Sequence, residues 1–253
     1  MLKVRVIPCL LLKNGALVKT IRFKNLTYIG DPINTVRIYN EKEVDELIFL
    51  DITATVENRQ PPLKIISEIS LECFMPFTYG GGIRSVQDAE KIFSMGAEKV
   101  SVNSSCFSNP QLITDIARIF GNQAVVASID VRKNFIGQYR VYSRSGTVPT
   151  KTDPADFAKT METYGAGEIL LTSIDQDGMM EGYDLTLIKK VTSAVSIPVI
   201  VCGGAGNIDH LVEAVKTGGA SAVAAGSIFV YQKKNRAVLI NYPDRKILEE
   251  KLN

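Results

Sequence analysis

Two glycine runs stand where a backbone could bind phosphate. GGG at 80–82 and GG at 203–204 each follow a short apolar run. Glycine lets N–H groups approach an oxyanion closely and adopts positive φ without strain. Each run has a small polar partner one unit later, Asn103-Ser104-Ser105 after the first and Gly226-Ser227 after the second. Helix N-termini there would add partial positive charge. Two matched sites across one mouth imply a ligand with a phosphate at each end. The plainer alternative is that these glycines only make tight strand-to-helix turns. Asp130 closes another apolar run and is the candidate acid–base group. Asp51 and Asp175 also end apolar runs, placed to hold substrate hydroxyls or orient a base. Lys19 falls in a long loop, residues 13–30, from which a mobile cation could close over a bound anion; a solvated loop lysine is the alternative.

The elements that must position these groups alternate. Nearly continuous apolar runs at 5–10, 47–52, 77–79, 99–102, 124–131, 168–173, 198–202 and 222–225 read as parallel strands buried on both faces. Helical patterns lie between them. Over 85–95, Val86, Ala89, Ile92 and Phe93 form one stripe, with Ser85 as N-cap and Asp88 three residues on. Asp153, Asp184 and Asn207 open later helices in the same way. This alternation in 253 residues fits a (β/α)8 barrel, with a doubly wound sheet as rival on periodicity alone.

An internal repeat decides for the barrel. PFTYGGGIRS at 76–85 falls on PVIVCGGAGN at 198–207, a constant offset of 122 residues. Gly81, Gly82, Gly96 and Ser105 fall on Gly203, Gly204, Gly218 and Ser227. The expectation is one α/β domain over 1–253, a TIM barrel of two half-barrels, about 1–122 and 123–253. The segment 138–149 in the second half reads as a small hairpin over the mouth. At an offset of 119, Asp130 maps onto position 11, which is Leu11. A symmetrical barrel would carry aspartate there, and leucine cannot move a proton. Losing one of two cooperating carboxyls typically lowers a rate by about 10²–10⁴-fold.

Composition removes other chemistries. Hydrophobic residues make up 45% and charged residues 22%, as in ordinary globular chains. A net charge of +2 argues against nucleic acid as a partner. No run of about 18 apolar residues offers a membrane span, and the opening MLKVRVIPCLLLKNG is charged too soon for a signal peptide. Cys9, Cys73, Cys106 and Cys202 show no CxxC spacing, and read as small buried thiols of a reduced, cytoplasmic protein. His210 is the only histidine and reads as a surface side chain in the first turn of a helix. No metal or cofactor is expected, since neither a ligand cluster nor a GxGxxG fingerprint occurs.

MLKVRVIPCL, ELIFLDITAT, PFTYGGGIRSVQDAEKI, GAEKVSVNS, ASIDVR, GAGEILLTSIDQDG, GYDLTLI and IPVIVCGGAGN together resemble the cyclase subunit of imidazole glycerol phosphate synthase, the HisF-type barrel of histidine biosynthesis. The likeness runs over roughly the first 230 residues. It implies a barrel that takes ammonia from a partner glutaminase (HisH-type) at its N-terminal face. It also implies that the ammonia cyclises and cleaves a two-phosphate nucleotide, giving imidazole glycerol phosphate and aminoimidazole carboxamide ribotide. By this resemblance Gly82, Asn103 and Ser104 hold one phosphate, and Asp177, Gly178, Gly204, Gly226 and Ser227 the other. Asp130 matches one catalytic aspartate; the second falls on Leu11. An ammonia gate falls on Arg5, Glu46, Lys99 and Glu168, with Glu98 as an acidic contact for the glutaminase.

Leu11 and the ending SIFVYQKKNRAVLINYPDRKILEEKLN depart from the family and are similar to a paralogous group of surface-polysaccharide gene sets, the glycosyl-amidation-associated barrels. The leading expectation is therefore an ammonia-relaying barrel that serves a separate sugar amidotransferase acting on an N-acetyl sugar. The alternative is a true cyclase of histidine biosynthesis. A non-catalytic, phosphate-binding regulatory barrel is a third reading.

Overall fold

Alternation along the first strand sets the architecture. In β1, Arg5–Lys13, the side chains of Val6, Leu10 and Leu12 join the layer beneath the helices, whereas Ile7, Cys9 and Leu11 join a separate cluster built from strand residues. The computed structural model describes residues 4–232 and 236–252, so the first three residues of the MLKVRVIPCL motif and residues 233–235 and 253 of the ending lie outside the described residues.

Seven further parallel strands follow: β2 Leu47–Asp51, β3 Phe77–Gly80, β4 Lys99–Val102, β5 Val125–Lys133, β6 Glu168–Ser173, β7 Val199–Cys202 and β8 Ala222–Ala225. Each pairs with its chain neighbour, as in Ile169↔Ala127 between β6 and β5. Pairing of β8 with β1, Ile7↔Ala224 among its registers, closes the ring. The chain is a single TIM barrel. The inner cluster contains Ile7, Cys9, Leu11, Ile48, Val126, Leu170 and Ile200. The outer one fills the space between strands and helices, as expected of strands buried on both faces.

Helices cross back between strands, and their starts are chemically marked. Ser85 and Asp88 form a reciprocal capping box on the helix Val86–Ser94. Asp153, Asp184 and Asn207 accept from Ala155, Leu187 and His210 backbone N–H groups at the starts of Pro154–Thr163, Leu185–Thr192 and Ile208–Lys216. A last helix, Arg245–Leu252, ends the chain's described part.

Residues 13–30 are not the loop that the sequence suggested. They form a hairpin of Ala16–Ile21 with Lys24–Gly30, and Ala16–Ile21 folds back on β1 with Leu11↔Val18 and Leu12↔Leu17. The reason is local. Asn14 and Gly15 take φ of 51° and 78°, the left-handed pair that joins two-residue hairpins. The second mouth hairpin, expected over 138–149, is present as Tyr139–Ser143 and Val148–Pro149, with Tyr139–Ser143 pairing to the end of β5.

Candidate functional site

A cavity of about 340 Å3 opens at the C-terminal ends of the strands. Asp130 points into it from β5 and is 9% exposed. Asn103, just past β4, donates from Nδ2 to Asp130 Oδ2 at 3.2 Å and to the Ser128 carbonyl at 3.0 Å. Burial, reinforced by Asp177 and opposed by the Asn103 hydrogen bond, pushes the Asp130 carboxyl up to about 7. Near neutral pH it can therefore give or take a proton. Leu11 lines the same cavity, 8% exposed, and packs in the inner apolar cluster with Cys9 and Val18.

The first glycine run forms one wall. Gly80, Gly81 and Gly82 line the cavity together with Asn103, Ser104 and Ser105. Gly81 has φ of +124°, and a Cβ there would stand 2.6 Å from the Asp51 carbonyl oxygen, so the backbone passes where no side chain fits. The second hairpin roofs this wall. Arg144 N–H donates to Ser104 Oγ at 2.9 Å, and Ser145 Oγ donates to the Ile52 carbonyl at 2.7 Å, tying the turn to the ends of β4 and β2. Ser104 Oγ in turn donates to Asn103 Oδ1 at 3.2 Å.

The first hairpin packs on the second group of expected residues at Asp177, Gly178 and Gly226. Asp177 is buried and lines the cavity, but Gly178, Gly204, Gly226 and Ser227 are not among its lining residues. Asp177 Oδ2 accepts from Thr20 Oγ1 at 2.6 Å and from Phe23 N–H at 3.2 Å, while its carbonyl accepts from Arg22 N–H at 2.9 Å. A Cβ on Gly178 would strike the Thr20 carbonyl, and one on Gly226 would strike Lys19 Nζ. Lys19 is therefore not a solvated loop lysine: it is 4% exposed and faces the cavity.

At the opposite end of the barrel four charges close a ring. Arg5 donates to Glu46 at 2.5 Å and to Glu168 at 2.7 Å, and Lys99 lies 3.1 Å from each of the same two carboxylates. Thr78 Oγ1 adds a hydrogen bond to Glu46 at 3.1 Å. Burial lowers the basicity of the Arg5 guanidinium, but Glu168 and Glu46 more than offset it and hold it above its ordinary value.

Comparison with known proteins names the lineage. A family profile described as "Histidine biosynthesis protein" matches residues 5–235. The chain belongs to the histidine biosynthesis protein family. A Pseudomonas aeruginosa protein provisionally named imidazole glycerol phosphate synthase subunit hisF2 is 53% identical over 244 residues, 96% of this chain and 97% of its own. A Leptospira interrogans protein provisionally named as subunit HisF is 49% identical, over 97% of each chain. The imidazole glycerol phosphate synthase subunit HisF of Streptococcus mutans is 48% identical over 231 residues, 91% of this chain and 92% of its own.

In this HisF-type barrel some expected residues are otherwise engaged. Asp51 lines the cavity with its carboxylate already engaged: its Oδ1 accepts from Thr53 and Ala54 N–H groups at 3.0 and 2.9 Å, and Arg59 pairs with it at 3.3 Å. Asp175 lies outside the cavity lining and accepts from Lys133 N–H at 2.9 Å. Glu98 is exposed next to the ring. His210 is half-buried rather than a plain surface residue, because Nδ1 accepts from Gly206 N–H at 3.1 Å and closes the loop after β7. Cys9 and Cys106 are buried as expected, but Cys73 and Cys202 are partly exposed. Thr20, Arg59 and the Arg144-Ser145 turn were missed. The only advance signal for the turn was the Ser-Gly at 145–146 within the expected hairpin.

Proposed function

We propose that this HisF-type barrel is the cyclase subunit of an imidazole glycerol phosphate synthase, receiving ammonia from a partner glutaminase at its N-terminal face. In the proposed reaction the ammonia joins a two-phosphate nucleotide at the C-terminal mouth. The observation that carries the reading is coaxial. A closed ring of Arg5, Glu46, Lys99 and Glu168 lies across one end of the barrel, and a cavity with a near-neutral carboxyl, Asp130, lies at the other. Ammonia must stay unprotonated to attack, and the apolar wall of Ile7, Ile48, Val126, Leu170 and Ile200 between the two ends would keep it so.

In this reading Gly82, Asn103 and Ser104 hold one phosphate from the open wall. Asp177, Gly178, Gly204, Gly226 and Ser227 receive the other once the Lys19 hairpin moves and recloses. Asp130 handles protons as the ring closes. Glu98 gives the glutaminase an acidic contact, and the four free cysteines suit a cytoplasmic setting. The test is turnover of the two-phosphate nucleotide by the barrel with ammonium salt alone, then with glutaminase and glutamine. Ammonia-dependent product that falls about 100-fold or more in Asp130→Asn supports the reading. Absence of product, with no rescue of a histidine auxotroph, overturns it.

One observation favours a second reading. Leu11 is packed into the inner apolar cluster, so the carboxyl that would complete the proton-transfer pair is missing. That suits a barrel that relays ammonia to a separate sugar amidotransferase for amidation of an N-acetyl sugar in surface-polysaccharide synthesis. Omitting the barrel from an assay with glutaminase, glutamine and amidotransferase would then abolish amidation.

A further inference from the structure

Beyond β8 the chain makes a small antiparallel ladder that neither reading of the function uses. Tyr231–Gln232 pairs with Ala237–Val238, in the registers Tyr231↔Val238 and Gln232↔Ala237. Two further backbone bonds hold it to the barrel. Leu239 N–H donates to the Val230 carbonyl at 3.0 Å, and Asn241 N–H to the Phe229 carbonyl at 2.9 Å. The ladder brings one side chain to the loop after β6. Arg236 Nη2 donates to the Gly178 carbonyl at 2.7 Å, and the guanidinium lies over the Tyr231 ring, 5.8 Å from its centroid. Tyr231 is buried, so the guanidinium rests on a fixed surface.

The residues around Arg236 hold donors that no acceptor of the chain satisfies. The N–H groups of Gly178, Gly204, Gly226 and Ser227, in the loops after β6, β7 and β8, donate no hydrogen bond among the described residues, and neither does the Ser227 hydroxyl. Gly178, Gly204 and Ser227 are buried. Buried N–H groups nearly always have a partner, so this set points to an acceptor from outside the chain. Cations stand on two sides of it. Lys19 Nζ occupies the place where a Cβ on Gly226 would go, and Arg236 holds Gly178. Neither cation forms an ion pair among the described residues, although Lys19 is buried. A buried cation is unfavourable unless it faces an anion. A guanidinium carries five N–H donors, and the Gly178 carbonyl takes one of them.

We propose that Arg236 is a phosphate-binding residue, the second cation of a site for one phosphate monoester at the loops after β6, β7 and β8. The unpartnered N–H groups and the Ser227 hydroxyl supply the remaining donors. A monoester carries close to two negative charges at neutral pH, which Lys19 and Arg236 together match. The planar fork of arginine suits two phosphate oxygens at once, and the contacts with Gly178 and Tyr231 set its position before the ligand arrives. The identity of the monoester, one end of a two-phosphate nucleotide, rests on the proposed function; the role of Arg236 toward phosphate does not.

The test titrates the full-length protein by calorimetry with two single-phosphate ligands in turn, imidazole glycerol phosphate and aminoimidazole carboxamide ribotide. Each occupies one end of the mouth, so they report on the two phosphate sites separately. Arg236→Gln is expected to weaken one of them about tenfold and to leave the other within about twofold. Arg236→Lys keeps the charge without the fork, and is expected to recover part of the loss, to about threefold weaker than wild type. Wild type that binds neither ligand overturns the proposal. So does an Arg236→Gln protein that binds both as wild type does, or one that loses both equally, which would make the arginine a support for the fold. The expected pattern in a protein that does not turn over the two-phosphate nucleotide upholds Arg236 and removes the cyclase reading instead.

Discussion

The Thr20 hydroxyl donates to Asp177 Oδ2 at 2.6 Å, joining the first hairpin to the loop after β6 across 157 residues of sequence. The pair is buried, so this hydrogen bond to a carboxylate is worth roughly 1.5–3 kcal/mol. It fastens the hairpin over Gly178 and Gly226.

Thr20→Val should loosen that hairpin without unfolding the barrel. Hydrogen exchange of backbone amides in Ala16–Ile21 and Lys24–Gly30 is expected to speed up about tenfold or more. Exchange in β5 and β6 should not change. Equal acceleration everywhere would mean that the contact supports the whole barrel rather than the hairpin.

Asp130→Asn should stabilise the protein in a pH-dependent way. The carboxyl is held near 7 in the fold, above its unfolded value of about 3.9. Between those values the folded state keeps a proton that the unfolded state has lost, so the Asp130 contribution to stability falls as pH rises through that window. The substitution removes this penalty. Urea unfolding is expected to show no gain near pH 3 and a gain approaching roughly 4 kcal/mol at pH 8. A gain of the same size at both pH values would contradict the raised carboxyl.

Lys99→Ala should break the floor ring. Glu46 and Glu168 would then share the single positive charge of Arg5, and breaking a largely buried ion pair costs about 3 kcal/mol. Glutamine-driven turnover with the glutaminase is expected to drop well below turnover driven by added ammonium. Equal loss of both would place the role of Lys99 in folding alone.

Leu11→Asp puts a carboxyl among Cys9, Val18 and Ile52, facing the cavity that holds Asp130. The variant is expected to lose about 1–3 kcal/mol at neutral pH, from burying a polar group. If the missing carboxyl alone limits cyclisation, ammonia-dependent turnover should rise by about 10²-fold or more. Unchanged turnover in a folded variant would favour the relay reading.

How much of this was legible depends on how local the cause is. Strands buried on both faces announce themselves as apolar runs, and Ser85 with Asp88 announces a helix start, because both effects act within a few residues. The pairing of the Gly81 wall with Asn103 and Ser104 was readable from the repeat alone. Asn14-Gly15 is a hairpin signal inside the segment expected to be a long loop, and Lys19, expected there as a mobile cation or a solvated lysine, is buried against the cavity. The floor ring joins four strands far apart in sequence, and only the family resemblance brought Arg5, Glu46, Lys99 and Glu168 together. The engagement of Asp51 by Arg59 depends on how the loop after β2 turns, which no periodicity encodes.

Every corner of the floor ring touches two corners of the opposite sign. If Lys99 swings aside, both glutamates are left leaning on a single guanidinium; if Glu46 swings aside, two cations face each other. Partial departures are thus penalised twice, and the arrangement favours being fully shut or fully parted. Under the proposed function, a ring built this way would part for a docking event large enough to move several side chains at once, and not for the small thermal excursions of any one of them.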